Sequence, residues 1–130
     1  MVRDFAIVGG GTRKWISDYR GRRSLVLVFT GEPQRPISRL LSELAAEAAE
    51  LEFLEAQVVV IGRGAAHGFV SAAEDTPELR KRYGAEQGAV LVTDRYGEIL
   101  YAARATQGEK LPQAREVLGW LEFALAQCPE

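Results

Sequence analysis

The chain has 130 residues, with 47% apolar and 26% charged side chains, which excludes a disordered protein and fits one domain whose core buries about two thirds of the unfolded surface. A net charge of −2 and a pI near 5.5 leave no electrostatic footprint for nucleic acid. No apolar run reaches the roughly 18 residues of a membrane span, no charged-then-apolar leader opens the chain, and the lone cysteine, Cys128, excludes an internal disulfide. The expected setting is the cytoplasm, and thirteen arginines against three lysines fit a bacterial source.

Residues 2–8 alternate weakly and predict an edge strand. Gly9-Gly10-Gly11 interrupts it, because residues without Cβ lose the most backbone entropy in a regular element. Trp15, Ile16 and Tyr19 return the chain to the core, so that residues 1–23 read as a hairpin-like extension. The basic cluster of Arg20, Arg22 and Arg23, with Arg13 and Lys14 nearby, is suited to a phosphate. The plainer reading is the solvated flank of the turn before the next strand.

Leu25 to Phe29 is continuously apolar and branched, the pattern of a strand covered on both faces. Gly31, Pro33 and Pro36 end it. Pro36 suits the first turn of the helix that follows, where a missing N–H costs nothing. Ile37, Leu40, Leu41, Leu44, Ala48 and Leu51 recur at three- and four-residue steps and predict one amphipathic helix of about five turns. Val58 to Ile61 is a second buried strand, and strand-helix-strand units of this kind are parallel. Phe69 and Val70 read as a short helical turn. Thr76 then caps a helix with Pro77 at its first position and Gly84 at its end.

Ala89–Thr93 predicts a strand, Asp94-Arg95-Tyr96-Gly97 a tight turn, and residues 98–103 the returning antiparallel strand. In the last helix Leu111, Ala114, Val117, Leu118, Leu121 and Leu125 form one stripe, flanked by Trp120 and Phe123. Gly119 costs about 1 kcal/mol there relative to Ala, which predicts a close neighbour.

Strand, helix, strand, helix, strand, strand and helix, after an N-terminal extension, make a single domain of thioredoxin-like α/β type: a three-layer α/β/α sandwich with parallel strands and a C-terminal antiparallel hairpin. Three segments carry a closer resemblance. Asp18-Tyr19-Arg20-Gly21-Arg22-Arg23 followed by LVLVF, then RKRYGAEQGAVLV, then VLVTDRYGEILY, resemble in that order the peroxiredoxin-like (alkyl hydroperoxide reductase and thiol-specific antioxidant, redoxin) domains. The similarity runs from about Trp15 to Phe123. It implies a thiol-dependent antioxidant role in cell redox homeostasis, worked by a thiolate at the tip of the first long helix and needing no cofactor.

The chain departs from that pattern where the chemistry sits. In a thioredoxin-type alignment the Cys-x-x-Cys falls on Gln34, Arg35, Pro36 and Ile37. In a peroxiredoxin-type alignment the reactive cysteine falls near Ser38, its supporting arginine near Gly88, and the thioredoxin cis-proline position near Ala89. A helix N-terminus lowers a thiol's pKa enough to make a nucleophile, whereas an alcohol is far less acidic and no histidine lies near in sequence to activate it. The turn with Arg35 and Arg39 beside it suits an anion, and equally a plain capped helix.

His67, the single histidine, has no second histidine or cysteine at metal spacing and reads as a solvent-facing loop residue. Gly9-Gly10-Gly11 and Gly62-x-Gly64-x-x-x-Gly68 do not match the dinucleotide-binding spacing. Cys128 lies in Gln127-Cys128-Pro129-Glu130; a second cysteine beyond it would make a redox pair. Two functions follow. One is a redox-inactive binding or assembly module contacting a protein partner through Gln34, Arg35, Pro36, Ile37, Ser38 and Arg39. The other is a thiol oxidoreductase using Cys128. Trp15, Trp120 and Phe123 suit a homodimer contact and suit core packing equally.

Overall fold

The computed structural model describes residues 6–9, 12–31, 35–63, 67–72, 75–105 and 108–127. Two hairpin strands, β1 (Ala6–Gly9) and β2 (Thr12–Trp15), lead through a 3-10 turn (Ile16–Tyr19) into β3 (Ser24–Phe29). Helices α1 (Arg35–Ala46) and α2 (Ala48–Phe53) connect β3 to β4 (Ala56–Ile61), and β5 (Val70–Ala72) and α3 (Pro77–Tyr83) follow. Strands β6 (Ala89–Thr93) and β7 (Ile99–Arg104) form the terminal hairpin, and α4 (Ala114–Ala126) closes the order.

The seven strands pair in the order β2-β1-β5-β4-β3-β6-β7, with β3, β4 and β5 parallel and the other pairings antiparallel. Successive side chains of a strand face opposite ways, and the central strands use both faces. Val26, Val28, Val58, Val60, Val90 and Val92 meet Leu40, Leu41, Leu44, Val117 and Leu121 of α1 and α4 in one core. Leu25, Leu27, Phe29, Val59, Ile61 and Leu91 meet Ile16, Leu79 and Tyr83 in the other. Helices therefore cover both sheet faces, the three-layer mixed arrangement that the strand and helix order predicts.

Local turn chemistry appears as expected at two places. The Thr76 hydroxyl accepts from the Leu79 N–H at 3.1 Å, with Pro77 in the first turn and Gly84 left-handed at φ 67°. The Asp94 carboxylate accepts from the N–H groups of Tyr96 at 2.9 Å and Glu98 at 3.0 Å, which ties the β6–β7 turn.

Three expectations need correction. The five-turn helix is broken at Glu47, whose N–H donates to Leu44 O at 3.0 Å. Between Leu44 and Leu51 the chain has only alanine and glutamate, and Ala48 is exposed, so no large side chain anchors a straight axis there. Phe69 and Val70 form no helical turn: Val70 begins β5, paired through Val59↔Val70 on one side and Ile7↔Ala72 on the other. A three-residue strand has too few positions to show a period, and its partners lie far off in sequence. Gly119 has no close neighbour among the described residues: a Cβ there would meet none of them within 4 Å.

β1 is also an inner strand rather than an edge, because β2 caps it on the outside. Residues 2–5 of the expected edge strand, with Gly10 and Gly11, lie outside the described residues.

Candidate functional site

In an open α/β sheet the crevice beyond the carboxyl ends of the parallel strands is the usual place for a ligand. Here it is bounded by Thr30 after β3, Ile61 and Gly62 at the end of β4, the first turn of α1, and the segment from Ala85 to Gly88. Gly88 is buried, and Ala89 pairs with Phe29 across the β3–β6 ladder.

The turn residues divide by burial. Pro36, Ser38 and Arg39 are exposed, and Arg39 reaches Glu43 one turn on at 3.4 Å. Ile37 is buried in the core with Leu40 and Leu41, so it orients the helix tip and offers no outer contact. Arg35 opens α1, and Gln34 lies outside the described residues, as does Cys128.

What fills the crevice is an arginine that sequence reasoning missed. Arg80, on α3, donates through Nε and Nη2 to both carboxylate oxygens of Asp75, at 2.7 and 2.8 Å. Its Nη1 also donates to Thr30 O at 2.6 Å and Ala85 O at 3.2 Å, and Nη2 to Ile61 O at 3.4 Å. Five donors in a planar fork suit this one-sided array of acceptors. The Thr30 side chain, 6% exposed, is held alongside and donates to the same Ile61 carbonyl at 3.4 Å.

Gly62 makes room for this cluster. It sits at φ 120°, and a Cβ would collide with the Thr30 hydroxyl and lie 2.6 Å from Arg80 Nη2. That close approach, and a following strand where a dinucleotide motif needs a helix, account for the glycine without a nucleotide. The sequence signal was available: glycines at the ends of two adjacent buried strands, Gly31 and Gly62, mark a tight crossing, and Arg80 stands one turn inside the α3 cap.

His67 is exposed and has a left-handed backbone, φ 53°. Among the described residues no three His, Cys, Asp or Glu side chains cluster as metal ligands, and no helix is long and apolar enough to cross a membrane. The basic cluster lies at the opposite end of the sheet. Arg23 pairs with Glu52 through both guanidinium nitrogens, at 2.9 and 3.3 Å, and Arg95 with Glu55 at 3.6 Å. The hydrogen bond and charge of Arg23 hold the Glu52 carboxyl below its ordinary range. Arg20 and Arg23 line a cavity of about 20 Å³ with Tyr19 and Asp94, room for one water. Trp15 is half exposed, Trp120 stacks on Tyr101 at 5.6 Å, and Phe123 packs edge-on against Trp120 at 5.7 Å.

No protein-family model matches the chain, and no curated protein is significantly similar to it in sequence. Solved structures are similar over nearly its whole length. A protein from Chlorobium tepidum named as the thiol:disulfide interchange protein DsbE is 20% identical, with a TM-score of 0.70 over 95% of this chain and 93% of that one. A cysteine-to-serine mutant of PrxQ from Xylella fastidiosa is 21% identical, with a TM-score of 0.69 over 91% and 87%. The exposed lipoprotein thioredoxin Etrx1 of Streptococcus pneumoniae is 15% identical, with a TM-score of 0.68 over 93% and 99%. The chain has the thioredoxin-like fold, with peroxiredoxins and thioredoxins among its structural neighbours and a single cysteine of its own.

Proposed function

We propose that this thioredoxin-fold domain has given up thiol redox catalysis and works as a binding or assembly module. The observation that carries the reading is Ser38, exposed in the first turn of α1 where the peroxiredoxin-like resemblance places the reactive sulfur. A serine hydroxyl at a helix tip stays protonated at neutral pH, so the helix dipole that would poise a thiolate makes no nucleophile of it. Arg80 supports the same reading, because its donors are spent on Asp75 and three carbonyls of the protein itself. Exposed Pro36, Ser38 and Arg39 remain as a contact surface.

Peroxide consumption and insulin reduction, measured on the wild type and on Cys128→Ser, test the loss of catalysis. The expected result is no turnover above buffer in either protein. Turnover in the wild type that Cys128→Ser abolishes would overturn the reading and establish a thiol oxidoreductase worked from the C-terminal segment.

A further inference from the structure

Helices α1 and α4 lie side by side on one sheet face, and between their outer surfaces runs an open groove of about 700 Å³. Its floor is low and apolar, made by Ala46, Ala114, Leu118 and Gly119. Gly119 is exposed in the interior of α4, with nothing within 4 Å of the place a Cβ would take. Among the described residues no contact explains a glycine at that position. The rim carries Glu43, Glu47 and Glu122 against Arg115; Glu43 pairs with Arg39 at 3.4 Å, an exposed contact with the Arg39 side chain 82% open to water, which a partner cation can displace at little cost.

A groove with an apolar floor and an acidic rim selects its occupant by charge as well as by shape. We propose that it docks a basic amphipathic helix of a partner protein, with apolar side chains on Leu118 and Gly119 and Lys or Arg side chains on Glu43, Glu47 and Glu122. Helix-in-groove recognition uses such an apolar trough, and the flanking charge adds selectivity. A missing Cβ at Gly119 lets the partner's backbone come closer than any side chain would. The groove begins at Glu43, roughly one and a half turns along α1 from Ser38, and its floor lies farther along, so it adjoins the helix tip without including Ser38. It gives the binding reading above a partner class, and peroxide turnover would sink that reading without touching this one.

The test is a titration of the full chain, followed by amide NMR, with a synthetic Leu/Lys amphipathic helix of roughly five turns and with its Leu/Glu counterpart. The expected result is saturable shifts at residues 43–47 and 113–122 with the Leu/Lys peptide alone, weakening as salt is raised through physiological strength. Binding should fall at least roughly tenfold in the Glu43→Gln/Glu47→Gln/Glu122→Gln variant, and be lost in Gly119→Arg, which puts bulk and positive charge on the floor. Unchanged amide spectra away from the substitutions show that both variants stay folded. No saturable shift at about 1 mM peptide, shifts centred elsewhere, equal binding of the Leu/Glu peptide, or undiminished binding in the variants would each overturn the proposal. Concentration-dependent self-association with shifts at the same residues would overturn it too, by assigning the groove to a second copy of this chain.

Discussion

The two ends of the parallel strands β3 and β4 are each tied together by an arginine, under opposite conditions of solvent. At the carboxyl ends Arg80 is 15% exposed, makes a two-point bond to Asp75, and donates to the carbonyls of Thr30, Ile61 and Ala85. At the amino ends Arg23 makes a two-point bond to a glutamate that is 72% exposed, and one long bond to Ala56 O at 3.4 Å. The motifs look alike on paper, but their energies differ because water competes freely for one and is largely excluded from the other. An ion pair that also closes backbone carbonyls is structural, whereas one displayed on a helix surface is a minor contact.

Substitutions can widen or abolish that contrast, and the largest effect is expected at the carboxyl end. Arg80→Ala takes a donor from three carbonyls, of which Ile61 O keeps the Thr30 N–H at 2.9 Å and Ala85 O keeps the Gly88 N–H at 3.0 Å, and it leaves the Asp75 carboxylate without its guanidinium. It should cost roughly 3 kcal/mol in urea unfolding. A loss below about 1 kcal/mol would show that water replaces the guanidinium and that the two ends are alike. Gly62→Ala attacks the same cluster by bulk. With φ at 120° and a collision with the Thr30 hydroxyl, it should destabilise by about 2 kcal/mol. In an Arg80→Ala background that cost should shrink, because one of the atoms it meets is gone.

A smaller effect belongs to the helix that carries Arg80. Thr76→Ala removes the cap of α3 and should cost about 1 kcal/mol, with Thr76→Ser largely neutral. Next comes Tyr101 on β7, outside both ends, whose phenol is pushed up to about 12 by burial first and by the neighbouring Glu116 carboxylate second. Its folded pKa lies above the unfolded value of 10.0, so the folded chain binds the extra proton between the two. The associated stability is whole below about pH 10 and is lost as pH rises toward 12. Near-ultraviolet titration of the phenolates should show the late step disappear in Tyr101→Phe and move to lower pH in Glu116→Gln. The smallest effect is at the amino end: a double-mutant cycle on Arg23 and Glu52 should give a slight coupling that vanishes in high salt.

Much of the molecule was legible because the signals were local. Leu25 to Phe29 and Val58 to Ile61 have no polar interruption, and such runs form the two buried parallel strands. Thr76 before Pro77, and Asp94 three residues before Gly97, specify a cap and a turn through side-chain oxygens that reach only their own neighbours. The candidate site was legible only in what it lacks, a sulfur or a histidine around Ser38. Arg80 was hidden for the converse reason. Its near partners Asp75 and Ala85 lie five residues to either side, but the Thr30 and Ile61 carbonyls that fix it at the strand ends are fifty and nineteen residues upstream, beyond the reach of a local pattern.

Residue order by itself determined the alternation of strands and helices, the placing of caps and turns, and the absence of a thiol from the α1 tip, since each depends on side chains within a few positions of one another. Tertiary structure decided that Val70 would be a strand and that Arg80 would tie α3 to the carboxyl ends of β3 and β4. It also decided that Gly119 would open onto a groove instead of a neighbour. Those outcomes rest on which distant backbones come together, and pairing between distant segments leaves no periodic mark in either of them.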